Sequence, residues 1–139
     1  MKDIRMLESL LSARVPVVAV ESREKNKVLE IMERFAALNN RTLLVWNLTH
    51  GLRRRNSTGS IYNTGDIVQA LRIIEASPQN AIYVFLDAHP FFENPMVVRI
   101  IRDIAQKVKA VPRMLVFLSH QIELPAELSD LSANFKPSR

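Results

Sequence analysis

The 139-residue chain has no cysteine, only three glycines and an aromatic content of 6%. The absence of cysteine excludes a disulfide framework, a thiolate nucleophile and a cysteine-ligated zinc, and it fits a reducing compartment, so the cytosol is the expected location. No apolar run approaches the roughly 20 residues needed to cross a bilayer. The segment Met1 to Leu11 mixes Lys2, Asp3, Arg5 and Glu8 with its apolar residues, unlike the core of a signal peptide. A cytoplasmic protein without membrane insertion is therefore expected. The few aromatics also argue against a general nucleic-acid-binding face, where stacking rings alternate with basic residues.

What is present is a 47% hydrophobic chain, enough for one continuous core, and residues 1–139 read as one domain. Lys and Arg number 19 against 14 Asp and Glu, a net charge of +5, with Arg53, Arg54 and Arg55 side by side. That surplus is local rather than spread along a face.

Apolar periodicity orders the chain into alternating helices and strands. Ile4, Leu7, Leu10 and Leu11 form one helical stripe with Asp3 as its cap, and Pro16 ends it. Pro16 to Val20 is a buried strand. Ser22 is positioned to cap a helix with the stripe Val28, Ile31, Met32, Phe35 and Leu38, ended by Asn39-Asn40. Thr42 to Trp46 is a second strand, and the polar stretch Asn47 to Asp66, which holds all three glycines, reads as a long loop. Ile67, Leu71 and Ile74 mark a helix that stops near Ser77-Pro78, and Ala81 to Leu86 is a third strand closed by Asp87. Asn94 caps a helix with Pro95 at its first position. Its buried stripe is Val97, Ile100, Ile101, Ile104 and Val108, with Lys107 and Lys109 in its last turn. Met114 to Leu118 is a fourth strand running into Ser119-His120. A short helix after Pro125 and an extended piece near Asn134-Phe135 complete the chain. Right-handed crossovers then give an α/β three-layer sandwich with a mainly parallel sheet of four or five strands.

In such a sheet, ligands bind at the C-terminal ends of the strands. An apolar strand ending in Asp87, a helix, and an apolar strand ending in Ser119 resemble the second half of a P-loop ATPase core, of RecA-like topology. That resemblance implies a magnesium-holding role for the Asp and a γ-phosphate-sensing role for the polar residue. The pattern breaks after the first strand. A phosphate-binding loop needs G-x-x-x-x-G-K-[ST], whose glycines let backbone amides wrap the phosphates. Here the residues are Glu21-Ser22-Arg23-Glu24-Lys25-Asn26-Lys27, with no glycine and with carboxylates flanking the helix start. Ala88 also follows Asp87, where an active AAA ATPase carries an acidic base.

The combination of Trp46 through His50-Gly51-Leu52, Asp87-Ala88-His89-Pro90-Phe91-Phe92, and Leu118-Ser119 with Leu124-Pro125-Ala126-Glu127-Leu128 is narrower. Over roughly Leu7 to Leu128 it is similar to the N-terminal domain of the conserved-open-reading-frame AAA ATPases of cyanobacteria and chloroplasts, which also occur in other bacteria. In that family a degenerate domain without a P-loop precedes a complete AAA module that carries the ATP chemistry. The resemblance implies a noncatalytic interaction or assembly domain without cofactor or metal. Its partners would be the AAA module in cis, neighbouring copies in a homo-oligomer, or a client protein.

The remaining candidates have plainer readings beside the sharper ones. Asp87 is a vestigial magnesium ligand or a carboxylate accepting backbone hydrogen bonds from neighbouring loops. His89 and His120 with Asp87 suggest a metal site, against ordinary polar loop residues. Ser119, His120 and Asp87 name a hydrolytic triad, but no G-x-S-x-G turn exposes the serine. Phe91 and Phe92 cap the core or anchor a partner. Arg53, Arg54 and Arg55 grip nucleic acid or an acidic partner, against a solvated, mobile loop tip. Glu21, Arg23 and Lys25, standing where a phosphate loop is missing, are a candidate contact surface. Two rivals remain: an atypical nucleotide-binding domain, and a nucleic-acid-binding module centred on Arg53 to Arg55.

Overall fold

A computed structural model describes residues 2–55 and 59–138. Asn56, Ser57 and Thr58, within the long polar stretch, lie outside the described residues. The helices α1 (Lys2–Ser12), α2 (Lys25–Leu38), α3 (Ile67–Ala76) and α4 (Pro95–Gln106) alternate with strands β1 (Val17–Glu21), β2 (Leu43–Asn47), β3 (Gly51–Arg54), β4 (Ile82–Leu86), β5 (Met114–Ser119) and β6 (Ser132–Asn134). Two 3₁₀ turns, His89–Glu93 and Ala126–Leu131, precede α4 and β6.

The six strands form one sheet in the order β3-β2-β4-β5-β1-β6, parallel except for the β2–β3 pair. Continuous β-branched and aromatic runs suit central strands because the sheet is covered on both faces. Leu44, Trp46, Tyr83, Phe85, Leu115 and Phe117 pack under α3 and α4, while Val18, Val20, Val45, Val84, Val116 and Leu118 pack under α1 and α2. Trp46, Phe35, Phe85 and Phe117 are wholly enclosed. Each such side chain contributes on the order of 1.5–3 kcal/mol by leaving water. The α/β three-layer sandwich of P-loop-NTPase-like topology is therefore the observed fold, with one strand more than the sequence indicates.

The extra strand is β3. Arg53 and Arg54 belong to it, and Arg55 follows directly, so this part of the expected loop is sheet edge. Strand edges accept charged side chains, which also discourage pairing with other chains. The segment beyond it returns to the sheet. Thr64 is buried, its Oγ1 donates to the Ile61 carbonyl at 2.6 Å, and it accepts from the Leu52 N–H at 2.8 Å. The Trp46 indole donates to the Thr64 carbonyl at 2.7 Å. Gly51 has φ +71°, and a Cβ there would sit 2.6 Å from Thr64 Oγ1, so glycine serves both the backbone and the close approach.

Helix starts follow the capping chemistry in α3 and α4. Asp66 Oδ1 accepts the Val68 N–H at 2.9 Å, and Asn94 Oδ1 accepts the Met96 N–H at 3.0 Å, with Pro95 first in the helix. Three sequence expectations move. Asp3 lies inside α1, where its buried Oδ1 accepts from the Ser138 N–H at 3.0 Å and from Ser138 Oγ at 2.7 Å, tying the two ends of the chain together. Ser22 stands before the cap of α2, which is Glu24 without a side-chain bond. Lys107 is the C-cap of α4, so Lys109 and the half-buried Val108, expected in its stripe, lie past it.

Candidate functional site

The register aligns Glu21 with Ser119 and Leu86 with Leu118, so the ends of β1, β5 and β4 lie side by side. Only Ser22, Arg23 and Glu24 link β1 to α2. Two of their three amides are already engaged: the Ser22 N–H donates to the Ser119 carbonyl at 2.9 Å, and the Glu24 N–H donates to Ser22 Oγ at 3.0 Å. Glu21 Oε1 accepts the Ile122 N–H at 3.1 Å and ties the strand to the segment after β5. A phosphate loop needs free amides curled around an anion. This connection is too short to form that nest, and it spends two of its amides internally. Arg23 is exposed and has no hydrogen bond or ion pair among the described residues.

At the end of β4, Asp87 takes the left-handed conformation, φ 55°, which Asp tolerates better than most residues. Its N–H donates to the Leu118 carbonyl at 3.0 Å, which fixes the turn. Its carboxylate accepts a hydrogen bond from Lys25 Nζ at the first position of α2. The expected backbone hydrogen bonds to this carboxylate are thus replaced by an ion pair between half-exposed side chains, 34% and 45% accessible. In a nucleotide site such a lysine faces phosphate and such an aspartate faces a metal. Here each neutralises the other.

The 3₁₀ turn after Ala88 settles where its rings go. Phe91 meets Trp46 edge-on at 6.0 Å, and Phe92 meets Phe117 edge-on at 5.3 Å, so both pack onto the core. The rings of His89 and His120 also meet edge-on, at 5.4 Å. Among the described residues no group of three His, Cys, Asp or Glu side chains is placed to hold a metal. Ser119 is fully buried, and its Oγ has no hydrogen-bond partner among the described residues, so Ser119, His120 and Asp87 form no proton relay.

The arginine cluster lies to one side of these strand ends. Arg55 Nε pairs with Glu33 of α2 at 3.1 Å. Arg53, opposite Val45 in the β2–β3 register, faces the α2 side and lines a groove between α2 and the sheet edge. Sequence reasoning named the three arginines but not their groove partners Asn26, Leu29, Val45, Asn47 and Leu86, because nothing in their spacing links them. The side chains with shifted pKa values lie elsewhere: the hydrogen bond from Arg102 lowers the Asp130 carboxyl in the second 3₁₀ turn, and two others stand at the opposite ends of the strands. Burial raises the Tyr83 phenol, and burial lowers the guanidinium of Arg113 just before β5.

Three comparisons bear on this arrangement. The family model of the SpoVK-like AAA ATPase N-terminal domain matches residues 3–136. The AAA domain-containing protein ycf46 of Trieres chinensis is 25% identical over 125 residues, which are 88% of this chain and 25% of that protein. Its counterpart in Pyropia yezoensis is 23% identical over 133 residues, 94% of this chain and 26% of that protein. The chain thus spans about a quarter of the length of these curated relatives. Among solved structures, a chain in the structure of Drosophila ORC bound to DNA aligns with a TM-score of 0.45 at 12% identity, covering 98% of this chain and 89% of that one.

Proposed function

This chain belongs to the family of SpoVK-like AAA ATPase N-terminal domains, and from that premise we propose that it is a noncatalytic contact and assembly domain. Its proposed partners are an AAA module in the same polypeptide, neighbouring copies, or a client. Its proposed place of work is the cytoplasm. Among the described residues no helix is long and apolar enough to cross a membrane.

The observation that carries the reading is the β1–α2 connection. It holds Ser22, Arg23 and Glu24 where a phosphate loop would have to wrap, and Lys25 beyond it is committed to Asp87. Nucleotide binding here would have to break that pair and find anion-binding amides that the connection does not offer. The same strand ends, freed from chemistry, present Glu21, Arg23, Lys25, Asp87 and His120 as a polar surface of both charges. Titration calorimetry of the chain with ATP and magnesium tests the reading. No saturable heat is expected, whereas saturable binding at micromolar concentration would overturn it.

A further inference from the structure

The groove between α2 and the β2–β3 edge has the lining of an anion site. It has a volume of about 390 Å³, within the roughly 300–1,000 Å³ typical of ligand sites. Arg53, Arg54 and Arg55 contribute to its wall, and no acidic residue does. Arg53 is half-buried and has no acceptor among the described residues. A partly desolvated guanidinium without a partner is costly, and a carboxylate or phosphate supplies what it lacks. Asn47 stands beside it, with Oδ1 already accepting the His50 N–H at 2.7 Å and the Thr49 hydroxyl at 3.0 Å, so its amide nitrogen is left to donate. Asn26, exposed in the first turn of α2, adds a second amide. Leu29, Val45 and the half-buried Leu86 give this mainly polar lining a smaller apolar floor.

We propose that this groove binds a short acidic peptide segment, with Arg53 holding a carboxylate and the apolar floor receiving a neighbouring aliphatic side chain. Charge complementarity selects an anion, and the floor selects a peptide over a polynucleotide. A polynucleotide also needs a track of free cations along its backbone. Nearby cations are already engaged, Lys25 by Asp87, Arg55 by Glu33, and Arg41 by the carbonyls of Asn80 at 2.9 Å and Pro112 at 3.1 Å, which leaves the adjacent Arg53 and Arg54 in the groove wall and no track beyond them. This inference rests on the contact-domain reading and names the chemistry of one partner for it.

The test is fluorescence polarisation with a labelled peptide of about six alternating glutamate and leucine residues, roughly 20 Å when extended. Binding that weakens with added salt is expected. Arg53→Gln should weaken it by roughly tenfold or more. Arg99→Gln, on the outer face of α4, should leave it unchanged. Arg53→Glu should lose the glutamate peptide and gain one of alternating lysine and leucine, a reversal that a folding defect does not produce. The proposal is overturned if the glutamate peptide does not bind or binds Arg53→Gln as it binds the parent. It is likewise overturned if a glutamine–leucine peptide binds equally well, or if a single-stranded oligonucleotide binds more tightly through Arg53. An ATP–magnesium titration run alongside separates the two readings. Nucleotide binding overturns the noncatalytic role, whereas loss of the peptide result alone overturns only the groove.

Discussion

Arg113 is a buried cation whose role is to hold a helix end. Its Nη1 donates to the Ile74 carbonyl, which also accepts the Ser77 N–H at 3.1 Å, to the Glu75 carbonyl at 3.2 Å and to the Ser77 carbonyl at 3.1 Å, where α3 stops. Arg113→Ala should strip the Glu75 and Ser77 carbonyls of this donor, while Ile74 keeps the Ser77 N–H, and cost about 2–4 kcal/mol, read as a lower urea midpoint. Arg113→Met, which removes the same charge and hydrogen bonds, should cost less than alanine because it fills more of the volume. Equal losses would assign the effect to the lost hydrogen bonds rather than to packing. Tyr83, which is buried beside this guanidinium, makes stability pH-dependent. Burial raises its phenol above the ordinary 10.0, against the smaller opposing pulls of the Ser77 hydrogen bond and the Arg113 charge. The unfolded chain therefore releases this proton first as pH rises. The contribution is whole below about pH 10 and is lost as pH climbs through the folded value. Thermal melts across that range should fall more steeply for the parent than for Tyr83→Phe.

At the scale of elements, the β2–β3 hairpin and its return segment mark the limit of the sequence reading. Gly51-Leu52-Arg53-Arg54 carries one inward apolar residue, Leu52, and two arginines, so its pattern matches a polar turn as well as an edge strand. What makes it a strand is Thr64, twelve residues beyond Leu52, whose hydroxyl accepts the Leu52 N–H. No local pattern announces a contact of that kind. The Lys25–Asp87 pair, 62 positions apart, was hidden for the same reason. Both residues were legible as candidates, but only the adjacent ends of β1, β5 and β4 make them partners. Thr64→Val keeps the shape and removes both hydroxyl bonds, so it should cost about 1–3 kcal/mol. Amide exchange at Leu52 should accelerate more than exchange in β4. Gly51→Ala should destabilise by a similar amount, through its positive φ and the contact with Thr64 Oγ1. Unchanged exchange at Leu52 in Thr64→Val would mean that the strand does not depend on this strap.

For the whole molecule, strand and helix periodicity was legible because β1, β2, β4 and β5 are buried on both faces and their helices carry one apolar stripe each. The order of the strands was legible only as a class, since crossovers decide it and the two clusters they create share no signal along the chain. Those clusters, one under α3 and α4 and the other under α1 and α2, meet through a single sheet. Neither face can lose its helices without exposing strands that complete the other, so the chain should unfold as one unit. Trp46, the sole tryptophan, reports on the α3–α4 face, where it packs against Phe85 and Phe91. Far-UV circular dichroism reports on all the helices together. In urea the two signals should trace one coincident transition. A tryptophan transition that separates from the helical one would show that the faces unfold independently, and the sheet would then not be the element that joins them.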